Sequence, residues 1–170
     1  MSLILGRTRG RSTARRPSRR GRLLVERAHV RELRRLAELA YPFEGCGLLI
    51  GEPAASSIRA SGRAPSLRVR WIDASRNVRT WPESRRRFEV HPEDVLRVER
   101  AARARGLRLV GVWHSHPDHP AEPSAVDRLE AWPDLSFLIV SVDRLGETVM
   151  RSFRRRGGAL APEILEIVHR

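Results

Sequence analysis

The chain has a single cysteine, Cys46, in 170 residues. One thiol cannot build an internal disulfide framework, and such scarcity fits a reducing, cytoplasmic setting. It also excludes the deaminase zinc site, which needs His-x-Glu together with Pro-Cys-x-x-Cys. No apolar run approaches the roughly 18 residues of a membrane-spanning helix, so no membrane partner is expected. The short apolar patch Met1–Gly6 precedes the first arginines, the reverse of the order in a secretory signal. Lysine is absent: all 33 basic residues are arginine, and the formal charge is +13. Residues 1–22 hold 8 arginines and no acid, which leaves 25 arginines against 20 acids, or +5, for the remainder. Arginine without lysine reads as codon bias rather than selection for phosphate, so nucleic acid is not an expected partner.

What is present divides into a tail and one domain. Residues 1–22 are polar, without periodicity, and are expected to be disordered. Residues 23–170 are long enough for one proper core, and the hydrophobic fraction of 41% is ordinary for a globular chain. Leu23–Val25 reads as a short strand. From Glu26 to Ala40, Val30, Leu33, Leu36, Ala37 and Ala40 recur at helical spacing, and Pro42 closes that helix. Cys46–Ile50 reads as a buried strand, 53–65 as a loop and Leu67–Ile72 as a half-buried strand. Asp73–Arg87 looks polar and irregular, and Phe88–Val90 a short strand. Pro92 starts a helix over 92–105, ended by Gly106. Leu107–Val112 reads as a buried strand, 124–131 as a short helix, and 136–142 and 147–153 as two more strands. Arg154–Gly158 reads as a polar turn, and 162–168 stays open between helix and strand. Alternating helices and strands predict an α/β fold with a mixed sheet between helices.

The central strand runs into Trp113-His114-Ser115-His116-Pro117. Residues i and i+2 on a strand share a face, so His114 and His116 aim at one point and Trp113 and Ser115 at the other side. Pro117, lacking an N–H, ends the ladder. After a loop come Ser124 and Asp127. Two imidazoles and a carboxylate suit a catalytic zinc ion, which takes three protein ligands and lowers the pKa of a bound water to about 7. Ser-x-x-Asp is also a helix-start signal, with Ser124 as N-cap and Asp127 in the first turn; the two readings are compatible. His-x-His alone is weak. The full spacing arises by chance roughly once in two thousand chains of this composition, so the whole pattern carries the reading. His119, in the loop between ligands, reads as an exposed histidine.

His114-x-His116, seven residues, then Ser124-x-x-Asp127 resembles the signature of the JAMM (MPN-plus) zinc metalloproteases. The upstream Glu44-Gly45-Cys46-Gly47-Leu48-Leu49-Ile50-Gly51 is similar to that family's second motif. The resemblance covers about residues 23–155 and is nearest the stand-alone bacterial branch. It implies a curved, barrel-like sheet of cytidine-deaminase-like architecture with zinc at one edge. It implies His114, His116 and Asp127 as zinc ligands, Glu44 as general acid–base and Ser124 as oxyanion donor. The implied reaction is hydrolysis of a peptide or isopeptide bond after the C-terminal Gly-Gly of a small ubiquitin-like sulfur-carrier protein. A non-catalytic scaffold of the same fold is the alternative. Cys46 reads as a small buried hydrophobe.

Overall fold

Apolar runs that are continuous rather than alternating must be buried on both faces, and two such runs, Cys46–Ile50 and Ser136–Val142, flank the histidine strand. The structure is a computed structural model describing residues 20–54, 65–156 and 158–169. In chain order its elements are β1 (Arg22–Glu26), α1 (Arg27–Ala40), β2 (Cys46–Pro53), β3 (Leu67–Ser75), α2 (Pro92–Arg103), β4 (Arg108–Pro117), α3 (Ala125–Glu130), β5 (Ser136–Val142), β6 (Thr148–Arg156), β7 (Ala159–Pro162) and β8 (Ile164–Val168). The strands form one mixed sheet in the order β7-β6-β5-β4-β2-β3-β1-β8. Pairing is parallel at β4–β5, β1–β3 and β1–β8 and antiparallel elsewhere. The α/β arrangement read from the sequence is the observed one. Most of the expected arginine-rich tail, residues 1–19, and most of the expected loop, 55–64, lie outside the described residues.

The two core layers follow from strand alternation. Leu48 and Ile50 of β2 pack with Val98 and Ala102 of α2, while Leu49 packs with Leu33 and Ala37 of α1. β5 divides likewise, Phe137 and Ile139 toward α2 and Leu138 and Val140 toward α1. The register of β4 against β2 slips between Leu49 and Ile50. This irregularity resets which residues face which layer. Beyond it Val112 faces α2 and Trp113 faces α1. Alternation then sends His114 and His116 to the α2 side, where Phe88 stacks on the His114 ring at 4.3 Å.

β7 and β8 stand at opposite ends of the strand order, yet only Glu163 separates them in sequence. The sheet therefore curls until its edges meet. At the seam the Glu163 N–H donates to Ser152 O of β6 at 3.0 Å, and the Ile164 N–H to Gly21 O at 2.9 Å. Arg154 and Glu163 form a buried ion pair of 2.7 Å there. Arg154 also donates to Ser136 Oγ at 2.9 Å and to Pro65 O at 2.6 Å, and Ser152 Oγ donates to Glu163 Oε1 at 2.7 Å. Arg154–Arg156 thus extend β6 instead of forming the expected polar turn, because acceptors surround the buried Arg154 guanidinium. The open element at 162–168 is strand. Glu163→Leu would strand a buried cation and should cost about 3–5 kcal/mol of stability. Denaturant titration measures it; a loss below about 1 kcal/mol would mean that the seam does not depend on this pair.

Two further expectations need correction. β3 continues through Asp73–Ser75 rather than ending at Ile72, because Arg97 of α2 takes both Asp73 carboxylate oxygens, at 3.1 and 3.0 Å. Phe88–Val90 is not a strand; a single bridge joins Val90 to Asn77. Gly47 allows the close approach of β2, β3 and Trp113. A Cβ there would collide with Asp73 O and lie 2.5 Å from Trp113 Nε1, which donates to that same carbonyl at 3.0 Å.

Candidate metal centre

His114 and His116 sit at the end of β4, and Pro117 closes the strand opposite Val142 of β5. The chain returns at Ser124, whose Oγ accepts the Asp127 N–H at 3.1 Å while Asp127 Oδ2 accepts the Ser124 N–H at 2.6 Å. This reciprocal box starts α3 and fixes the Asp127 carboxylate. The helix-start reading is thus the observed one, and it leaves the Asp127 carboxylate facing the two imidazoles.

The two Nε2 atoms of His114 and His116 lie 3.0 Å apart. Asp127 Oδ1 is 3.4 Å from the first and Oδ2 is 3.7 Å from the second. One donor atom from each residue falls within 4.8 Å of the others, and all three residues are buried. Pro120 O lies 2.9 Å from His116 Nδ1. A carbonyl only accepts, so that nitrogen carries the proton and Nε2 offers a lone pair. Two bare lone pairs 3.0 Å apart repel, so a proton or a cation belongs between them. Two imidazoles, a carboxylate and no thiolate form a donor set that fits zinc with a coordination position to spare.

The charges obey the same geometry. Burial drives the His114 pKa down, against the pull of Asp127. Burial also opposes protonation of His116, but hydrogen bonds to Asp127 and Pro120 O and the nearby Glu44 outweigh it and raise the pKa. For Asp127 burial would raise the pKa; its hydrogen bonds with His114, His116 and Ser124 win and hold it far below the usual carboxylate range.

Glu44 lines the same small pocket as Ser124 and Asp127. Burial pushes its carboxyl up to about 8; His116 opposes the rise and Asp127 adds to it. Its backbone is tied on every side. The Glu44 N–H donates to Ser84 O at 2.8 Å, and Asn77 Nδ2 donates to Glu44 O at 3.0 Å. The next residue, Gly45, donates to Ser115 Oγ and accepts from the Ser115 N–H, both at 2.8 Å. Ser115, pointing away from the histidines, thus joins the Glu44 segment to the strand between them. Asn77 also donates to Arg87 O at 3.1 Å and accepts from the N–H groups of Arg79 and Glu89 at 3.0 and 3.1 Å. Sequence reading gave neither residue a role. The available signal was weak: Asn77 is the chain's one asparagine, set in an irregular polar stretch.

Cys46 is buried, its Sγ 3.9 Å from Ser75 O, and burial pushes its thiol up to about 12. That is an inert small hydrophobe. His119 is exposed, as expected. No helix among the described residues is long and apolar enough to cross a membrane.

The chain is similar to known proteins. The family of prokaryotic homologues of the JAB domain matches residues 26–156. A desampylase from Haloferax volcanii is 32% identical over 103 residues, covering 60% of this chain; the match spans 65% of that relative's length. The solution structure of a Desulfitobacterium hafniense protein superposes with a TM-score of 0.71 at 28% identity, covering 87% of this chain and 94% of the other. One from Salinibacter ruber gives 0.63 at 31% identity, over 85% and 90%. With a family match that spans both motifs and a fold shared with solved structures, the chain belongs to the prokaryotic JAB-domain family, within the JAMM/MPN group.

Proposed function

We propose that the chain is a zinc-dependent peptidase or isopeptidase acting after the C-terminal Gly-Gly of a small ubiquitin-like protein of the sulfur-carrier type. One observation carries this reading: Glu44 and Ser124 share a pocket with Asp127 of the three-donor cluster. The likeness to a desampylase supports a small protein modifier as substrate. His114, His116 and Asp127 hold the zinc. Bound there, zinc supplies a Lewis acid able to activate water at neutral pH.

The chain's own groups do the rest. Glu44 removes a proton from the attacking water and returns one to the leaving amine. Burial raises its pKa in the metal-free site, and a cation bound on the neighbouring donors would draw it back down, toward the range a general base needs. Ser124 is exposed and its Oγ already accepts the Asp127 N–H, so its own O–H remains to donate to the developing oxyanion. β1 covers the outer side of β3 only at Leu67 and Arg68, so the rest of that side is where an extended substrate tail adds to the sheet. Glycine suits the residues at the scissile bond because it carries no Cβ to hold the backbone away from the pocket.

The test is a panel of carrier proteins with short C-terminal extensions, each beside an Ala-Ala version, read by mass spectrometry with and without chelator. Native carriers should be cut and Ala-Ala carriers far more slowly. Equal cutting of both, or cutting that survives chelation, would end the reading.

Asn77 acts on this reaction through Glu44, as a positioning residue. Asn77→Ala frees the Glu44 carbonyl and the Arg87 carbonyl together. It should lower kcat about 10- to 100-fold, the scale of a misplaced catalytic group, with zinc content unchanged. Unchanged kcat, or a loss traced wholly to zinc, would remove that role.

A further inference from the structure

Past Arg86 and Arg87 the small pocket that holds Glu44, Ser124 and Asp127 gives way to a larger cleft of about 720 Å³. These two arginines line both spaces. Arg85, Trp81 and His119 complete the cleft's cationic and aromatic lining, and Pro117 and Asp118, which directly follow His116, form its other wall.

The cleft carries more positive than negative charge: Arg85, Arg86 and Arg87 against Glu83 and Asp118. Elsewhere several arginines have an acid partner, as Arg22 with Glu166, Arg70 with Glu52, Arg76 with Asp94, Arg97 with Asp73 and Arg151 with Glu122, while other exposed arginines among the described residues have none. What sets Arg85, Arg86 and Arg87 apart is that they lie together beside the small pocket. The acids around the cleft make their closest contacts with other groups. Glu83 and Glu89 pair with Arg79, at 3.7 and 3.0 Å, and Asp118 accepts the Tyr41 hydroxyl at 3.0 Å. Among the described residues, none of Arg85, Arg86 and Arg87 has a carboxylate within ion-pair distance, although all three are exposed. Nor is their backbone loose. Ser84 O accepts from the Glu44 N–H, and Arg87 O and the Glu89 N–H are bound to Asn77. The hydrogen bonds that place Glu44 therefore also present three guanidinium groups along the approach to it.

We propose that this cleft docks an acidic segment of the protein substrate, flanking the scissile bond. The inference rests on the peptidase reading and specifies its substrate. Guanidinium forks take carboxylates in pairs, and the indole of Trp81, largely exposed, offers a flat apolar contact beside them. A nucleic acid would also be drawn to such a surface, but the cleft opens on a site whose other groups are those of amide hydrolysis. A peptide is the occupant that reaches both.

The test uses the full-length, zinc-loaded Glu44→Gln protein, which can bind without turning over. The probes are labelled peptides of equal length with a central Gly-Gly flanked by Asp and Glu, by Ser, or by Arg, and a single-stranded DNA of similar length. The acidic peptide should bind at least about tenfold more tightly than the Ser peptide at low salt, a preference that fades as salt is added. The triple variant Arg85→Ser, Arg86→Ser, Arg87→Ser should abolish the preference while zinc content and melting temperature hold. If the triple variant melts early, Arg85→Glu alone takes its place, since that side chain is exposed. Equal binding of all peptides would overturn the proposal. So would a preference that survives in the triple variant, since it would belong to the arginines elsewhere. DNA binding lost in the triple variant, with no discrimination among peptides, would make the cleft a nucleic-acid surface instead. Acid-selective binding by a protein that cuts nothing would leave the docking surface standing and remove the peptidase reading. Cleavage indifferent to acidic flanks would do the reverse.

Discussion

Glu44→Gln, loaded with zinc, should turn over at least about a hundredfold more slowly than wild type, the scale of a lost general acid–base group. Glutamine matches glutamate in shape but neither takes nor gives the proton. The backbone ties to Ser84 and Asn77 and the Gly45–Ser115 pair do not involve the side chain, so the segment should stay in place. Zinc content should be unchanged, because the ligands are elsewhere. A variant with near wild-type turnover would remove Glu44 from the mechanism, and equal, negligible turnover in both proteins would favour a metal-holding scaffold. The metal-free protein gives a second readout. Burial holds the folded-state pKa of Glu44 at about 8, against an ordinary value of 4.5. Between those values the folded state keeps a proton that the unfolded chain has released, so this group's contribution to stability falls as pH rises from about 5 to 8. Glu44→Gln lacks that titration. Its stability relative to wild type should therefore rise across the same window, measured by denaturant midpoints in chelator.

Asp127→Asn should empty the centre without unfolding the helix that carries it. Asp127 does two jobs: Oδ2 accepts the Ser124 N–H in the capping box, and both oxygens face the imidazoles. An asparagine oxygen still accepts the N–H, so α3 should form. The anionic ligand is lost, and zinc affinity should fall by more than the roughly 10- to 100-fold that follows loss of a mere supporting partner. Activity should vanish with the metal and not return at moderate zinc excess. Asp127→Ala also removes the acceptor for the Ser124 N–H, one half of the capping box, and costs a further ~1 kcal/mol, while Ser124 Oγ still caps the residue-127 N–H. Full zinc occupancy in Asp127→Asn would mean that the three-residue cluster is not the ligand set.

Much of this site is local in sequence, which is why it was legible there. His114 and His116 are i and i+2 on one strand, and Ser124 and Asp127 are N-cap and N3 of one helix turn. Each pair's geometry is set by the backbone period, so spacing alone predicts that the members face together. The apolar runs at Cys46–Ile50 and Ser136–Val142 likewise declare strands buried on both sides. Glu44 is different. Nothing in its own surroundings marks it, and only the family motif drew attention to it; the fold supplies the reason, in a β2–β4 ladder that pairs Cys46 with His114.

Where the sequence reading failed, a polar residue had found a distant partner. Asp73 looked like the end of a strand until Arg97 of α2 covered it, and Arg154 looked like a turn until Glu163 met it across the closing seam. Asn77 and Ser115 looked like filler, yet they bind Glu44 and Gly45 across separations of 33 and 70 residues. A local pattern records what a segment prefers in water. It holds no record of which charge or carbonyl the folded chain will bring beside it, and that pairing decides whether a polar group is exposed or buried. The sequence by itself therefore determined the α/β class, the pairing of His114 with His116 and of Ser124 with Asp127, and the family to which the chain belongs. Only the tertiary structure decided that the sheet curls shut at Glu163, that Asn77 and Ser115 hold Glu44 in place, and that three unpaired arginines line the way to it, because each depends on groups far apart in the chain.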